Sequence, residues 1–410
     1  MDDQPKPAQD LARALTDERV LRTLMRQRRL TRAELAATIG ISKPTAGESV
    51  RRLTEMGLVA DTGERTPGGR GRGRVGSYYA LSTDVGAALA VSIAPEGIRT
   101  ERLDVYGDIV GRTERKISRP ARPAQVAAAL RSAAEEIHEN AGNTPRLAVV
   151  SAADPVDRTT GRLVQLPDAP FLIGDLDPVD ILGPHVHGPV TVDNDVNWAC
   201  RAEREHADAP LDDFAYLHLG EGLGCALVND GEVRRGGTGL AGEVAHLVVT
   251  GPHARAMPFI DVFDALGLRR PGSTAIDIDR LLDAATGPTP QAAATRRILG
   301  DAISSVLAAV VALTDPTTIV IGGPWGTAPA ILDTIRATFT RRPRHVPVRA
   351  ATVTADPALS GARADALDRL RSAVVDSAAT TLGRSTEGRN DRPNHGSPPA
   401  PSPAAPPRAI

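Results

Sequence analysis

Aromatic side chains are scarce: five phenylalanines, four tyrosines and two tryptophans serve 410 residues. The core must therefore be built largely from Ala, Val, Leu and Ile. Cysteine is scarcer still. Cys200 and Cys225 are the only two, which excludes a disulfide framework, and no Cys-x-x-Cys pair points to a metal site. No apolar run approaches the roughly 18 residues of a membrane helix. The opening "MDDQPKPAQD" lacks the charged and apolar blocks of a signal peptide. These absences lead us to expect a cytoplasmic globular protein, and the length suits two or three domains.

The net charge of −2 says little until its distribution is read. From Arg19 to Arg74 there are 13 Lys/Arg against 5 Asp/Glu, which leaves the remainder strongly acidic. A basic block on an acidic body is the electrostatic pattern of a nucleic-acid-binding domain attached to something else.

Within that block, "DERVLRTLMRQRR" (17–29) places Val20, Leu21, Leu24 and Met25 on one helical face. Thr31 and Glu34 have the spacing of a capping box, and Gly40 supplies a stop. A second helix is predicted from Ser42 as N-cap, through Pro44 in its first turn, to Gly57. Two short helices joined by "GIS" form a helix-turn-helix pattern. "LVADTG" and "SYYALS" then read as strands joined by the loop "GERTPGGRGRGRVG". A glycine-rich loop can cradle nucleotide phosphates. Such a loop follows a strand and opens a helix, whereas this one leads into a strand, so it reads as the basic wing of a winged helix-turn-helix. Arginine-glycine segments that bind RNA are the competing reading, but those usually lack a preceding helix-turn-helix.

The predicted recognition helix presents Ser42, Lys43, Thr45 and Glu48 on its first turns, where side chains reach base edges in the major groove. Arg51 and Arg52 are expected on phosphates, and Arg70, Arg72 and Arg74 of the wing in the minor groove. Gly47, inside the helix, costs roughly 1 kcal/mol relative to Ala.

From Thr83 to about Val375, strand-like runs ("AALAVSIA", "RLAVVSAA", "VTVDND", "FAYLHLG", "CALVNDG", "TTIVIGG") alternate with Ala-rich helical segments, the pattern of an α/β body. The expected organisation is a tail over 1–13, the winged head over 14–82, the body over 83–383 and a disordered tail from 384. That last segment has seven prolines after Asp391 and too little apolar content to bury a core.

"NDVNWA" (194–199), "LGEGLGCALVNDGEVRRG" (219–236), "GLAGEVAH" (239–246) and "DPTTIVIGG" (315–323) resemble the ROK family, which groups bacterial sugar kinases with transcriptional repressors. "LTRAELAATIGISKPT" with its Gly-Gly-Arg wing is similar to the head of the family's regulators. The resemblance implies an actin- or hexokinase-like body of two lobes around a cleft, each lobe with a mixed sheet. It places Asn194, Asp195, Glu243 and His246 on the sugar hydroxyls. Asp261 then stands near a sugar-binding glutamate of the family, and Asp168 at the place of an asparagine.

The family's kinases serve as a template against which four elements are compared. The catalytic carboxylate matches Asp195, which carries that role only if the chain is a kinase. The first phosphate loop, Asp-x-Gly-Gly-Thr in the kinases, is taken as "DVGAAL", with Ala87 and Ala88 crowding the backbone. The phosphate hairpin reads "GEGLG", where the Glu221 carboxylate opposes a triphosphate. The structural zinc lacks its cysteines, and His246 with His253 cannot complete a tetrahedral site; apolar packing of Met257, Pro258 and Phe259 is the expected substitute.

The expectation is a DNA-binding regulator, of repressor type, with operator DNA and a sugar or sugar phosphate as ligands. It would use neither ATP nor zinc and would act as a homodimer or dimer of dimers on paired half-sites. The alternatives are a sugar kinase that has acquired a DNA-binding head, and a regulator that has lost its ligand.

Overall fold

The described residues begin with a helix α1, Pro7–Gln27, so the expected tail is helical from Pro7 onward. A short strand β1, Arg29–Thr31, leads into α2, Arg32–Ile39. Thr31 and Glu34 form both hydrogen bonds of the capping box, and Gly40 closes the helix in the left-handed conformation. Helix α3, Lys43–Glu55, starts on Ser42, whose hydroxyl accepts from the Thr45 N–H. Strands β2, Val59–Arg65, and β3, Ser77–Leu81, make an antiparallel hairpin. β1 adds to it in the order β1-β3-β2; that third strand has no sequence signal of its own at three residues. Val20, Leu21 and Leu24 of α1, Leu35 of α2, and Val50 and Leu53 of α3 are fully buried together, the convergence that the helical spacing requires. The computed structural model describes residues 7–67, 75–141, 143–166, 170–171 and 175–387.

The body opens with β4, Ala88–Ala94, β5, Gly97–Leu103, and β6, Ile109–Arg115, joined as an antiparallel meander. Helix α4, Pro123–Ala141, β7, Leu147–Ala152, α5, Pro178–Leu182, and β8, Val190–Asn194, follow. The strand order β6-β5-β4-β7-β8 combines antiparallel and parallel pairs. Helix α6, Asp195–Glu205, starts directly off β8.

The second lobe repeats this plan. β9, Phe214–Leu219, β10, Leu223–Asn229, and β11, Glu232–Val233, form its meander. After a two-stranded excursion, β12 (Val248–Thr250) with β13 (Ala256–Pro258), come α7, Phe259–Ala265, α8, Ile278–Thr286, and α9, Pro290–Thr314. β14, Thr318–Gly322, α10, Pro329–Phe339, and β15, Val348–Ala350, complete the sheet in the order β11-β10-β9-β14-β15. The last helix, α11, runs Pro357–Glu387, past the expected start of the tail at 384. The residues beyond it lie outside the described ones.

Two compact units divide between Ser82 and Thr83, and the end of α11, from Ala373 to Glu387, groups with the head instead of with the body. One expectation from composition is corrected. α9 is long and apolar enough to cross a membrane, with half of its most apolar window buried. Leu299, Ile303, Val306 and Leu307 place that side of it in the second lobe's core, which accounts for its apolar character.

Candidate functional site

On α3, Ser42, Lys43, Thr45, Glu48 and Arg51 are all exposed. Ser42 Oγ and Thr45 Oγ1 are 2.7 Å apart, so the cap holds both hydroxyls at the helix start. The two arginines depart from their expected roles. Arg51 is engaged by Glu48 and Glu55, each at 2.5 Å, so the Glu48 carboxylate is neutralised on its own helix. Arg52 turns inward: its Nε and Nη2 donate to Asp17 of α1 at 3.1 and 2.7 Å. Asp17 is buried and also accepts from Ser49 Oγ. Arg52 therefore joins two helices instead of standing free for a phosphate. Arg70, Arg72 and Arg74 lie outside the described residues.

Two exposed cations were not anticipated. The Arg29 guanidinium lies 5.6 Å from the Tyr78 ring and that of Arg32 lies 4.9 Å from Tyr79, stacked on the strand that follows the wing. A signal existed in the paired tyrosines, but nothing in their spacing named the partners. A Cβ at Gly47 would meet only the Arg32 side chain, at an ordinary 3.8 Å. Gly47→Ala is accordingly expected to stabilise the head by roughly 1 kcal/mol, a rise in its melting midpoint; a fall would mean the backbone needs glycine there.

Between the body's sheets lies a cleft of about 390 Å³. Asn194, Asp195, Glu243 and His246 all line it, so four of the five sugar-site candidates converge there. Asn194 caps α6: its Oδ1 accepts from Val196 N–H at 2.9 Å, and its Nδ2 donates to the Asp154 carbonyl at 3.3 Å. The next residue, Asp195, is thereby fixed at the first turn. Burial pushes its carboxyl up to about 7; hydrogen bonding from the Val196 backbone opposes that rise, and the charges of Glu243 and Glu96 add to it. Burial also raises Glu243, with His246 drawing it down. Gly242 is what lets this loop reach the cleft. Its φ is +95°, its carbonyl accepts from Cys225 N–H at 3.0 Å, and a Cβ there would lie 1.6 Å from the Cys225 carbonyl oxygen.

Asp261 is the exception. It is exposed on α7 and paired with Arg269 at 3.0 Å, while its neighbour Ile260 faces the cleft. Helical geometry turns successive residues about 100° apart, and the apolar one went inward. Asp168 lies outside the described residues, between Leu166 and Pro170, both of which line the cleft.

The supposed first phosphate loop is also relocated. Ala87 and Ala88 are buried at the start of β4 and do not line the cleft. What β4 contributes to the cleft is its far end, Ser92 and Ala94, followed by Pro95 and Glu96 of the β4–β5 turn. Glu221 does line the cleft, as expected, but with two arginine partners, Arg119 and Arg270.

One residue that lines the cleft, His218, and one that supports it, Asp193, escaped the sequence. Asp193 is buried beside Asn194. It accepts from Asn197 Nδ2 at 2.9 Å, pairs with Arg235 at 2.6 Å, and burial raises its carboxyl. That pair ties the loop bearing Glu243 to β8. His218, on β9, lines the cleft with its Nδ1 buried and without a hydrogen-bond partner among the described residues, and burial pushes the imidazole down to about 4. One polar residue in the otherwise apolar "FAYLHL" was the available signal.

After His246 the chain forms the β12–β13 hairpin, with Val248 opposite Pro258 and Val249 opposite Met257. Val249 and Phe259 enter the core, where Phe259, Phe263 and Trp325 form a chain of rings 5.5 and 5.7 Å apart. His253 stands in the turn of that hairpin. Among the described residues no three His, Cys, Asp or Glu side chains stand close enough to hold a metal ion.

Comparison with known proteins agrees with both halves. A winged helix-turn-helix DNA-binding model matches residues 13–60, and the ROK family model matches 98–258, the stretch carrying Asn194, Asp195, Glu243 and His246. The chain thus carries a ROK domain behind a winged-helix stretch. The chain is 33% identical over 160 residues to the bifunctional enzyme NanE/NanK of Brucella suis, covering 38% of this chain and 30% of that protein. It is 21% identical over 234 residues to the xylose repressor of Caldicellulosiruptor bescii, covering 56% and 57%. The chain thus spans under two thirds of these relatives. Among solved structures, a ROK family transcriptional regulator described as a homologue of the E. coli MLC protein superposes at TM-score 0.60. It is 18% identical and covers 92% of this chain and all of that one. A ROK glucokinase from Streptomyces griseus, solved with glucose and AMPPNP, superposes at 0.52. It is 26% identical and covers 68% of this chain and 99% of the glucokinase.

Proposed function

We propose that this protein is a transcriptional regulator, of repressor type, whose hold on operator DNA is set by a sugar or sugar derivative in the ROK cleft, and that it does not phosphorylate that sugar. The observation that carries this reading is the make-up of the cleft lining. Asn194, Asp195, Glu243 and His246 converge there and suit sugar hydroxyls. The turns from both lobes add Glu96 and Glu221 to the same lining. The Glu96 carboxylate opposes phosphate oxygens at short range, and Glu221 already occupies Arg119 and Arg270, the cations an incoming phosphate would need. Support for the DNA half comes from the exposed start of α3 and the winged-helix match. A ligand acts only through unequal affinity for the DNA-competent and DNA-incompetent states. Zinc and ATP have no part in this reading, and binding to paired half-sites calls for a homodimer or dimer of dimers.

The deciding experiment is selection of genomic DNA fragments with the purified protein, beside the Arg70→Ala/Arg72→Ala/Arg74→Ala variant. A few palindromic sites enriched by the parent are expected, with the variant's salt slope lower by about 3 if each arginine meets one phosphate. An unchanged slope removes the wing from the interface. Xylose, glucose and N-acetylmannosamine are the first sugars to titrate against the complex. The competing reading, a sugar kinase with a DNA-binding head, is favoured by the NanE/NanK similarity. Stabilisation by Mg-ATP together with sugar-dependent ATP turnover would establish it.

A further inference from the structure

Glu221 occupies the turn between β9 and β10, with its side chain only 13% exposed. It is gripped from two directions. Arg119 Nη1 donates to both carboxylate oxygens at 2.8 Å, and Arg270 Nη2 donates to Oε1 at 2.7 Å. The Glu221 carbonyl also accepts from Ile276 N–H at 2.9 Å, so backbone and side chain are both fixed.

The partners come from different lobes. Arg270 lies between α7 and α8, in the same lobe as Glu221. Arg119 lies between β6 and α4 of the first lobe, where its Nε donates to the Pro95 carbonyl at 3.2 Å. Pro95 belongs to the β4–β5 turn that lines the cleft. The Arg119–Glu221 pair therefore ties the cleft-facing turn of one sheet to the cleft-facing turn of the other. An ordinary surface pair would do little. Here the carboxylate is largely withdrawn from water, which weakens screening and strengthens its attraction to both guanidiniums.

We propose that Arg119 and Glu221 form a clasp that holds the two lobes closed on each other in the absence of any nucleotide or sugar, with Arg270 positioning the Glu221 carboxylate. A position that faces phosphate in the related kinases has become a fastening between lobes. The clasp concerns the body alone and holds whether or not the protein regulates transcription.

The test measures lobe separation directly in the full-length, ligand-free protein. Nitroxides are attached at Arg131→Cys on α4 and Arg297→Cys on α9, two exposed positions, one per lobe. The native Cys200 and Cys225 are buried, so labelling is selective. Pulsed EPR should give one narrow distance distribution in the parent. Glu221→Gln and Arg119→Gln should each broaden it and lengthen it by more than about 2 Å, the scale of hinge motions. Arg119→Lys, which keeps the charge, should stay near the parent, and Arg270→Gln should fall between. The same distribution in the parent, Glu221→Gln and Arg119→Gln overturns the clasp, as does a parent that is already broad. So does opening in Arg270→Gln alone. Should Glu221→Gln fail to fold, Arg119→Gln decides by itself, because the Arg119 side chain is 39% exposed at the rim.

Discussion

Asp195→Asn is expected to make the protein more stable at about pH 8 and to leave it unchanged below about pH 4. Burial pushes the Asp195 carboxyl up to about 7, whereas an unfolded aspartate titrates near about 3.9. Between those values the folded chain keeps a proton that the unfolded chain has released. The folded state then binds more protons, so stability falls as pH rises, and the loss is complete above about pH 7. At about 1.36 kcal/mol per pH unit the ceiling is about 4 kcal/mol. Asparagine gives up the carboxylate's attraction to the start of α6, about 0.3–1 kcal/mol, and solvent at the partly exposed site reduces the rest. A net gain of about 1–3 kcal/mol remains. Melting temperatures of both proteins across pH would check it, as curves that coincide in acid and separate through neutrality. Curves that run parallel throughout would mean that the carboxyl titrates as an ordinary surface group. On the proposed function the same substitution should also weaken sugar binding, an exchange of stability for function.

Arg52→Ala should destabilise the head by about 3–5 kcal/mol, the cost of leaving one member of a buried ion pair without its partner. Asp17 would keep Ser49 Oγ but lose both guanidinium contacts. Arg51→Ala, one residue away, should cost under about 1 kcal/mol, because its pairs with Glu48 and Glu55 are solvent-exposed. Urea titrations of the intact protein, followed through the transition of the head, separate the two. A third variant, Asp17→Leu with Arg52→Met, should recover most of the loss, since an apolar pair can replace a buried ionic one. Equal effects at positions 51 and 52 would show that the pair with Asp17 contributes nothing special.

The contrast between these neighbours marks what the sequence could tell. Local chemistry was legible. The Thr31–Glu34 capping box, the Ser42 cap and the Gly40 stop formed as their spacing required, because each depends on residues within one turn. Asn194, Asp195, Glu243 and His246 were legible through family motifs and share one cleft. What failed depended on partners far along the chain. Arg52 meets Asp17 across 35 residues, and Glu221 meets Arg119 across 102. Charge pattern alone assigns such residues to solvent or to a ligand. "DVGAAL" failed for another reason: an Asp-x-Gly string was matched without fixing where the strand ends, and the turn that faces the cleft carries Pro95-Glu96-Gly97. Asp261 missed the cleft by a single helical step.

The scarcity of aromatic residues has an optical consequence. Trp198 and Trp325 are the chain's only indoles, and both are anchored beside the cleft. Trp198 Nε1 donates to the Val150 carbonyl of β7 at 3.0 Å, and Trp325 Nε1 donates to the Gly220 carbonyl at 2.9 Å, next to Glu221. Each is held by one hydrogen bond in a dry setting, Trp325 to a residue that lines the cleft and Trp198 one position from Asn197, which also lines it. Emission colour and lifetime report on that bond, so the unlabelled protein carries its own gauge of events at the hairpin and at α6, free of interference from tryptophans elsewhere.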